Sequence, residues 1–154
     1  MNPNEQLIQD FYTAFQARDG EKMAAFYADN AVFSDPAFGT LRGPEVGAMW
    51  RRLCGRSRDL EVTFDHVTAD EHTGSAHWEA KYTFSSSKRP VHNVIEAAFV
   101  FKDGKIIEHH DHFDLWRWSR MALGPLGLLL GWTPLVRNRI RKQALDGLRA
   151  FIQK

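Results

Sequence analysis

The chain has 154 residues, 44% hydrophobic and 25% charged, which suits one globular domain with a sizeable core and leaves too little length for two. Its 20 basic and 19 acidic residues give a formal net charge of +1, so no overall field draws it to nucleic acid. A lone Cys54 excludes an internal disulfide and a thiolate metal centre, and the first residues lack the basic and apolar stretches of a secretory signal; the expected location is the cytoplasm.

From Asn4 onward Leu7, Ile8, Phe11, Tyr12 and Phe15 recur at helical spacing, with Asn2 or Asn4 available as cap and Asp19-Gly20 closing the run. This predicts a first helix over about residues 4–17. Asp19 then caps a second, over about residues 20–28, with Met23, Phe26 and Tyr27 as its apolar face. Ala31 to Asp35 reads as a brief strand stopped by Pro36. Pro44 stands in the first turn of a third helix, over about residues 43–54, whose stripe is Val46, Met49, Trp50 and Leu53.

The period now changes to two. Leu60, Val62 and Phe64 alternate with polar residues, and so do Trp78, Ala80, Tyr82 and Phe84. Two further strands, about Val91 to Lys102 and Lys105 to Trp116, are joined by Asp103-Gly104, the signature of a tight hairpin. Helices followed by an antiparallel meander between about residues 60 and 116 predict a single α+β domain: a cone in which a curved antiparallel sheet wraps the N-terminal helices.

Beyond Asp114, Leu115 to Leu130 forms a very apolar helical segment, then Gly131-Trp132-Thr133-Pro134 leads into a last helix striped with Val136, Ile140, Ala144, Leu148 and Phe151. Arg137, Arg139, Arg141, Lys142 and Arg149 there face a single acid, Asp146. The charge-free run from Met121 to Val136 is shorter than the roughly 20 residues of a spanning helix and is broken by Pro125 and Pro134. This extension, about residues 117–154, is expected to pack as a helical hairpin on the cone or on a second subunit; a lid over a pocket mouth and contact with an anionic membrane surface are the lesser alternatives.

The stretch from Tyr27 to Gly43, with Phe33-Ser34-Asp35-Pro36 at its centre, resembles the helix-to-strand signature of SnoaL-like and ketosteroid isomerase-like proteins of the nuclear transport factor 2-like superfamily. Gly104 to Asp114 is similar to that superfamily's last strand, and the likeness covers about residues 4–120. The resemblance implies that Asp35 stands where ketosteroid isomerases keep their proton-shuttling aspartate. It also puts Asp111 where SnoaL-type cyclases and limonene epoxide hydrolases keep an acid/base aspartate. The isomerases' oxyanion-binding tyrosine corresponds to Phe11 and their protonated aspartic acid to Ala97, so both donors are gone, and Tyr12, about 100° further round the helix, is expected to point elsewhere. The hydrolases' arginine and second aspartate fall on or near Trp78 and Ala80, and the cyclases' histidine falls at Ala97.

If Asp111 faces inward, alternation puts Ile107, His109 and Phe113 on the same side. An apolar wall would raise its pKa toward that of a general acid or base, with a hydrogen bond to the first helix or to Trp118 as the structural alternative. Asp35 either shares that cavity or caps the turn after Pro36; two carboxylates in one dry cavity would split their pKa values. His109 is the nearest neutral proton carrier. Phe11, Phe15, Phe33, Trp50, Trp78, Tyr82 and Phe99 form a pool of rings that either walls a ligand pocket or fills the core. Consecutive strand residues point to opposite faces, so the run His109-His110-Asp111-His112 brings at most two groups to one ion, and neither a metal nor a cofactor is expected. The function expected is a cofactor-free acid/base enzyme of isomerase, cyclase, hydrolase or dehydratase type acting on a small apolar molecule, ring-containing ones included. A non-catalytic binder of such a molecule and a dimeric interaction domain are the alternatives. A homodimer is expected because an open antiparallel sheet leaves a face and edges to cover.

Overall fold

In the computed structural model, which describes residues 2–56 and 58–153, the Asn2 side chain accepts the Asn4 N–H at 2.8 Å and so starts α1 (Pro3–Gln16). Asp19 caps α2 (Gly20–Ala25) in the same way through the Lys22 N–H at 3.0 Å. The second helix is shorter than its apolar spacing suggests, because Tyr27 pairs with Ile106 and opens β1 (Tyr27–Asp35). Long-range ladder bonds override a weak local helix preference there. A turn through Pro36 to Phe38 leads into β2 (Gly39–Arg42), too short for alternation to reveal, and then into α3 (Pro44–Arg56).

The meander follows as β3 (Glu61–Ala69), β4 (Thr73–Phe84), β5 (Arg89–Lys102) and β6 (Lys105–His112). Asp103 and Gly104 take φ of 53° and 76°, the left-handed pair that a two-residue hairpin requires. The sheet order is β2-β1-β6-β5-β4-β3. β3 to β6 are antiparallel, as the sequence predicts, while β1 lies parallel to β6, so the six-stranded sheet as a whole is mixed. Strand direction across so long a separation is set by packing of α1 to α3 on the concave face and leaves no local trace. Ile8, Phe11, Tyr12, Phe15, Met23 and Trp50 bury themselves there at 0–2% exposure.

One irregularity matters for the site. Between Val100↔Glu108 and Phe101↔Ile106 the β5–β6 register slips, and Ile107 is left without a partner. This bulge resets the alternation, so that Ile106 and not the expected Ile107 is buried.

The apolar run after Asp114, expected as one helical stretch, is cut at Gly124 (φ 66°) and Pro125 into α4 (Leu115–Leu123) and α5 (Pro125–Leu130). α6 (Pro134–Ile152) follows. Leu115, Trp118 and Ala122 of α4 and Val136 and Ile140 of α6 form a second apolar cluster with Val91, and Ala37, Tyr82, Phe84 and Phe113 pack against it. Val91, Tyr82 and Phe84 belong to one end of the sheet, and Ala37 and Phe113 follow strands that finish there, so α4 and α6 cover that end. Farther along, Leu148 joins the main core. No described helix is long and apolar enough to cross a membrane.

Candidate active site

Past the bulge, alternation along β6 brings His109 and Asp111 to the concave face, at 0% and 3% exposure. His109 sits in a cage of rings. Phe99 stacks on it with centroids 4.3 Å apart, Phe11 and Phe33 meet it edge-on, and Tyr27 and Trp50 lie nearly parallel to it. Inside the cage both ring nitrogens are satisfied. Nδ1 lies 2.7 Å from the Tyr27 hydroxyl, which accepts the Trp50 Nε1–H at 2.8 Å. Nε2 lies 2.8 Å from Oδ1 of Asp111, and the Trp78 Nε1–H reaches the same oxygen at 3.3 Å. A carboxylate only accepts, and Tyr27 has one proton to give. For a neutral His109 beside an ionised Asp111 the pattern runs one way: Trp50 donates to Tyr27 and Tyr27 to Nδ1, while Nε2–H donates to Asp111.

Asp35 reaches the same region from β1. The parallel ladder sets Phe33 beside His109 and Ser34 beside His110. The ladder ends there; continued by one residue it would set Asp35 level with Asp111 on the adjoining strand, at the ordinary strand spacing of about 4.8 Å and on the same face. Across β5 the partner of Asp111 is Ala97, the position where the resemblance expects a second acid. Asp35 is half-buried, and its Oδ1 accepts the Phe38 N–H at 2.6 Å. It therefore caps the turn and shares the face with Asp111, two roles that do not compete. Burial pushes its carboxyl up to about 7; the Phe38 N–H opposes this, the Asp111 charge adds to it, and the Ala37 N–H and Arg141 oppose it.

Two tyrosines complete the surroundings. The buried Tyr12 hydroxyl has no hydrogen-bond partner among the described residues. Burial, then the Asp111 charge and Tyr27, hold it well above the ordinary phenol range, which keeps it a neutral donor within range of the Asp111 charge. The Tyr82 hydroxyl accepts the Trp118 Nε1–H at 2.8 Å. Burial raises its pKa, the Trp118 hydrogen bond lowers it, and the Asp35 charge raises it further.

The ring pool divides in two. Phe11, Phe15, Phe33, Trp50, Trp78 and Phe99 pack on one another, Phe15 with centroids 5.2 Å from Trp50 and 5.4 Å from Trp78. Tyr82 instead lies half-buried at the covered end of the sheet, with Phe38 and Phe113 also half-buried. Two surface hollows, of about 450 Å³ between α3 and the end of α6 and about 550 Å³ beside Tyr82, Val91 and Met121, hold neither carboxylate. Asp111 is bonded by His109 and Trp78, where the sequence suggested α1 or Trp118. The outward histidines bond elsewhere: His110 to Ser34 and Glu108, His77 and His92 to Glu79.

Sequence reasoning missed Tyr27 and Tyr12. Tyr27 was hidden by its apparent place on a helix. Tyr12, expected to point away because Phe11 points in, is fully buried, since α1 buries Leu7, Ile8, Phe11, Tyr12, Ala14 and Phe15 over an arc wider than one stripe. That width was readable in the sequence.

The model of the SnoaL-like domain family matches residues 8–109 of the chain. No curated protein matches it. Among solved structures it is similar to a nuclear transport factor 2-like protein of unknown function from Burkholderia pseudomallei, at 22% identity and a TM-score of 0.68 over 79% of this chain and 98% of that one. It is similar to an LEH-like epoxide hydrolase of M. tuberculosis at 22% identity and 0.66, over 84% and 96%. A protein of ketosteroid isomerase-like fold from Catenulispora acidiphila, in complex with trimethylamine, follows at 15% identity and 0.69, over 87% and 100%. At such identities the likeness speaks for the fold alone.

The raised pKa of Asp35 has a consequence for stability. The native chain holds a proton there that the unfolded chain releases between about pH 4 and pH 7. This group's contribution is thus fully present below about pH 4 and is lost as pH rises through about 7, a fall of up to about 4 kcal/mol. Asp35→Asn keeps the acceptor for Phe38 and removes the titration. In denaturant unfolding the variant should be the more stable protein at pH 8 and should converge with the wild type near pH 4; parallel curves for the two across that range would refute the burial of this charge.

Proposed function

The chain belongs to the SnoaL-like domain family, and we propose that it uses Asp35 and Asp111 as a coupled proton-transfer pair acting on a small apolar molecule, without a cofactor. What supports this is the β1–β6 register, paired as far as Ser34 with His110, whose continuation by one residue would set the two aspartates level on one face, together with the Asp111 charge felt by Asp35. They differ in the way an acid and a base must differ. Asp35 is half-buried and poised at about 7, so near neutral pH it is present in both protonation states and has the reach to exchange a proton with a bound molecule. Asp111 is held by two donors and supplies the neighbouring charge.

His109 acts through Asp111. With Nδ1 occupied by Tyr27, its Nε2–H has one acceptor to serve, and the ring cage keeps it there; it is a positioning residue in this reading. Tyr12 supplies the donor that Phe11 and Ala97 cannot. Its unpartnered hydroxyl lies close enough to Asp111 to feel its charge, and one such donor to a developing oxyanion is worth about 2.7–4 kcal/mol. The apolar contacts for the substrate are Tyr82 and Phe113 at the covered end of the sheet and Phe38 in the turn that Asp35 caps, and entry requires α6 to yield where the Arg141 side chain lies against Gly39. Isomerisation, dehydration and ring opening or closing are the reaction classes that such a pair serves. The M. tuberculosis relative is named an epoxide hydrolase, which agrees with this range.

Binding without turnover is a second reading, favoured by the closed packing of six of the seven candidate rings. In either case two copies are proposed to meet over the outer face of β4 and β5, where an open sheet face remains. Light scattering should then return twice the chain mass, and a monomer at high micromolar concentration would refute the pairing.

Turnover is tested with a panel of ring ketones, followed by deuterium exchange from the solvent, and ring epoxides, followed by diol release. Asp35→Asn should lower kcat for the accepted compound by at least about 100-fold with KM nearly unchanged, and Tyr12→Phe should lower it by a similar factor. Full activity in Asp35→Asn would end the proton-transfer assignment, and tight binding of a panel member with no turnover would establish the binding reading instead.

A further inference from the structure

α5, the loop after it and the first turn of α6 turn apolar side chains outward. Leu128 is 51% exposed, Leu129 68%, Trp132 64% and Leu135 78%. The arrangement is built in, because α5 rests on α4 at backbone contact. A Cβ at Gly127 would lie 1.9 Å from the Ser119 carbonyl oxygen, and one at Gly131 would lie 2.0 Å from Ser119 Oγ. Glycine at both positions lets the helix seat this closely, with Gly127 as its one buried residue and the leucines left outside. Single exposed leucines are ordinary, but a contiguous apolar prominence marks a contact site.

The charge around it is one-sided. Between Leu115 and Leu145 stand six cations, Arg117, Arg120, Arg137, Arg139, Arg141 and Lys142, and no acid; the whole chain carries +1, so the remainder carries a net −5. Arg137 and Arg139 are exposed, and neither forms a salt bridge among the described residues.

We infer that this tip docks into the surface of a bilayer containing anionic lipid. Leu128, Leu129, Trp132 and Leu135 enter the boundary between headgroups and acyl chains, and the arginines at the start of α6 meet the headgroup phosphates. The chemistry on both sides fits: Trp is at home at that boundary, and an apolar tip rimmed by cations gains from burial and from the negative surface potential together. With six residues α5 is far too short to span, so the contact is shallow. A second copy fits poorly, because a symmetric contact through the same patch sets the exposed Arg137 and Arg139, beside Leu135 at the start of α6, against their own copies. The inference stands apart from the proton-transfer reading and survives its failure.

Flotation of the full chain with vesicles tests it, using phosphatidylcholine alone and phosphatidylcholine mixed with phosphatidylglycerol. The chain should float with the mixed vesicles at least about tenfold better than with the neutral ones, and added salt should weaken the binding. Leu129→Asp combined with Leu135→Asp should abolish flotation. Arg137→Gln combined with Arg139→Gln should weaken it by roughly fivefold for each cation removed. Because the four positions are exposed, circular dichroism of the variants should match the wild type. Failure to float with either vesicle, flotation indifferent to the anionic lipid, or flotation untouched by the two aspartates would each overturn the inference. So would light scattering in which the aspartate variant alone loses a self-association shown by the wild type without vesicles, since that outcome assigns the patch to a second copy.

Discussion

An imidazole with no exposure to water must find a partner for each nitrogen inside the protein, because a buried polar atom left unpaired costs about 1–3 kcal/mol. His109 is such a residue, and much of the fold converges on its two hydrogen bonds. Tyr27 comes from the start of β1, Trp50 from α3, Trp78 from β4 and Asp111 from β6 itself, so four separate elements are tied through one ring. The parallel β1–β6 ladder is the means by which Tyr27 and Phe33 reach it. Once His109 is fixed, Asp111 is fixed, and its charge then bears on Asp35 one strand away. Packing, polar satisfaction and the electrostatics of the carboxyl pair are in this sense a single arrangement.

Features with a local cause were legible in the sequence. The helix starts followed from Asn2, Asp19 and Pro44, and the β5–β6 hairpin followed from Asp103-Gly104, whose backbone conformation few other pairs adopt. That Asp111 and His109 share a face followed from alternation, and held because the bulge at Ile107 comes before them and not between them; their burial shows the face to be the inner one. Features with a distant cause were not legible. Nothing near Ala31 announces that β1 will lie parallel to β6, and nothing near Tyr27 announces its bond to His109, since both depend on a strand some 80 positions later. The break at Gly124-Pro125 was visible as a turn signal and was outweighed by the continuous apolar run around it.

By the resemblance, Phe11 and Ala97 fall where donors would serve a ketosteroid isomerase, and Trp78 falls near the place of a hydrolase's arginine; the aromatic interior of this chain is closed around His109. Besides the two aspartates that the resemblance matches, the polar group left without a partner here is the Tyr12 hydroxyl. The covered end of the sheet, where Asp35, Tyr82 and Phe113 lie under α4 and α6, also adjoins the segment that bears the exposed leucines of α5. An apolar compound arriving from a lipid surface would meet the chain at this end.

The relation between the two carboxyls is open to direct observation by carbon NMR of protein labelled at the aspartate carboxyl carbons, titrated from acid to mildly basic pH. Asp35 should show a midpoint near 7, and in Asp111→Asn that midpoint should move down as the neighbouring charge is removed. A midpoint near the ordinary aspartate value of about 4, unchanged by the substitution, would contradict the coupled pair at the centre of the proposed chemistry.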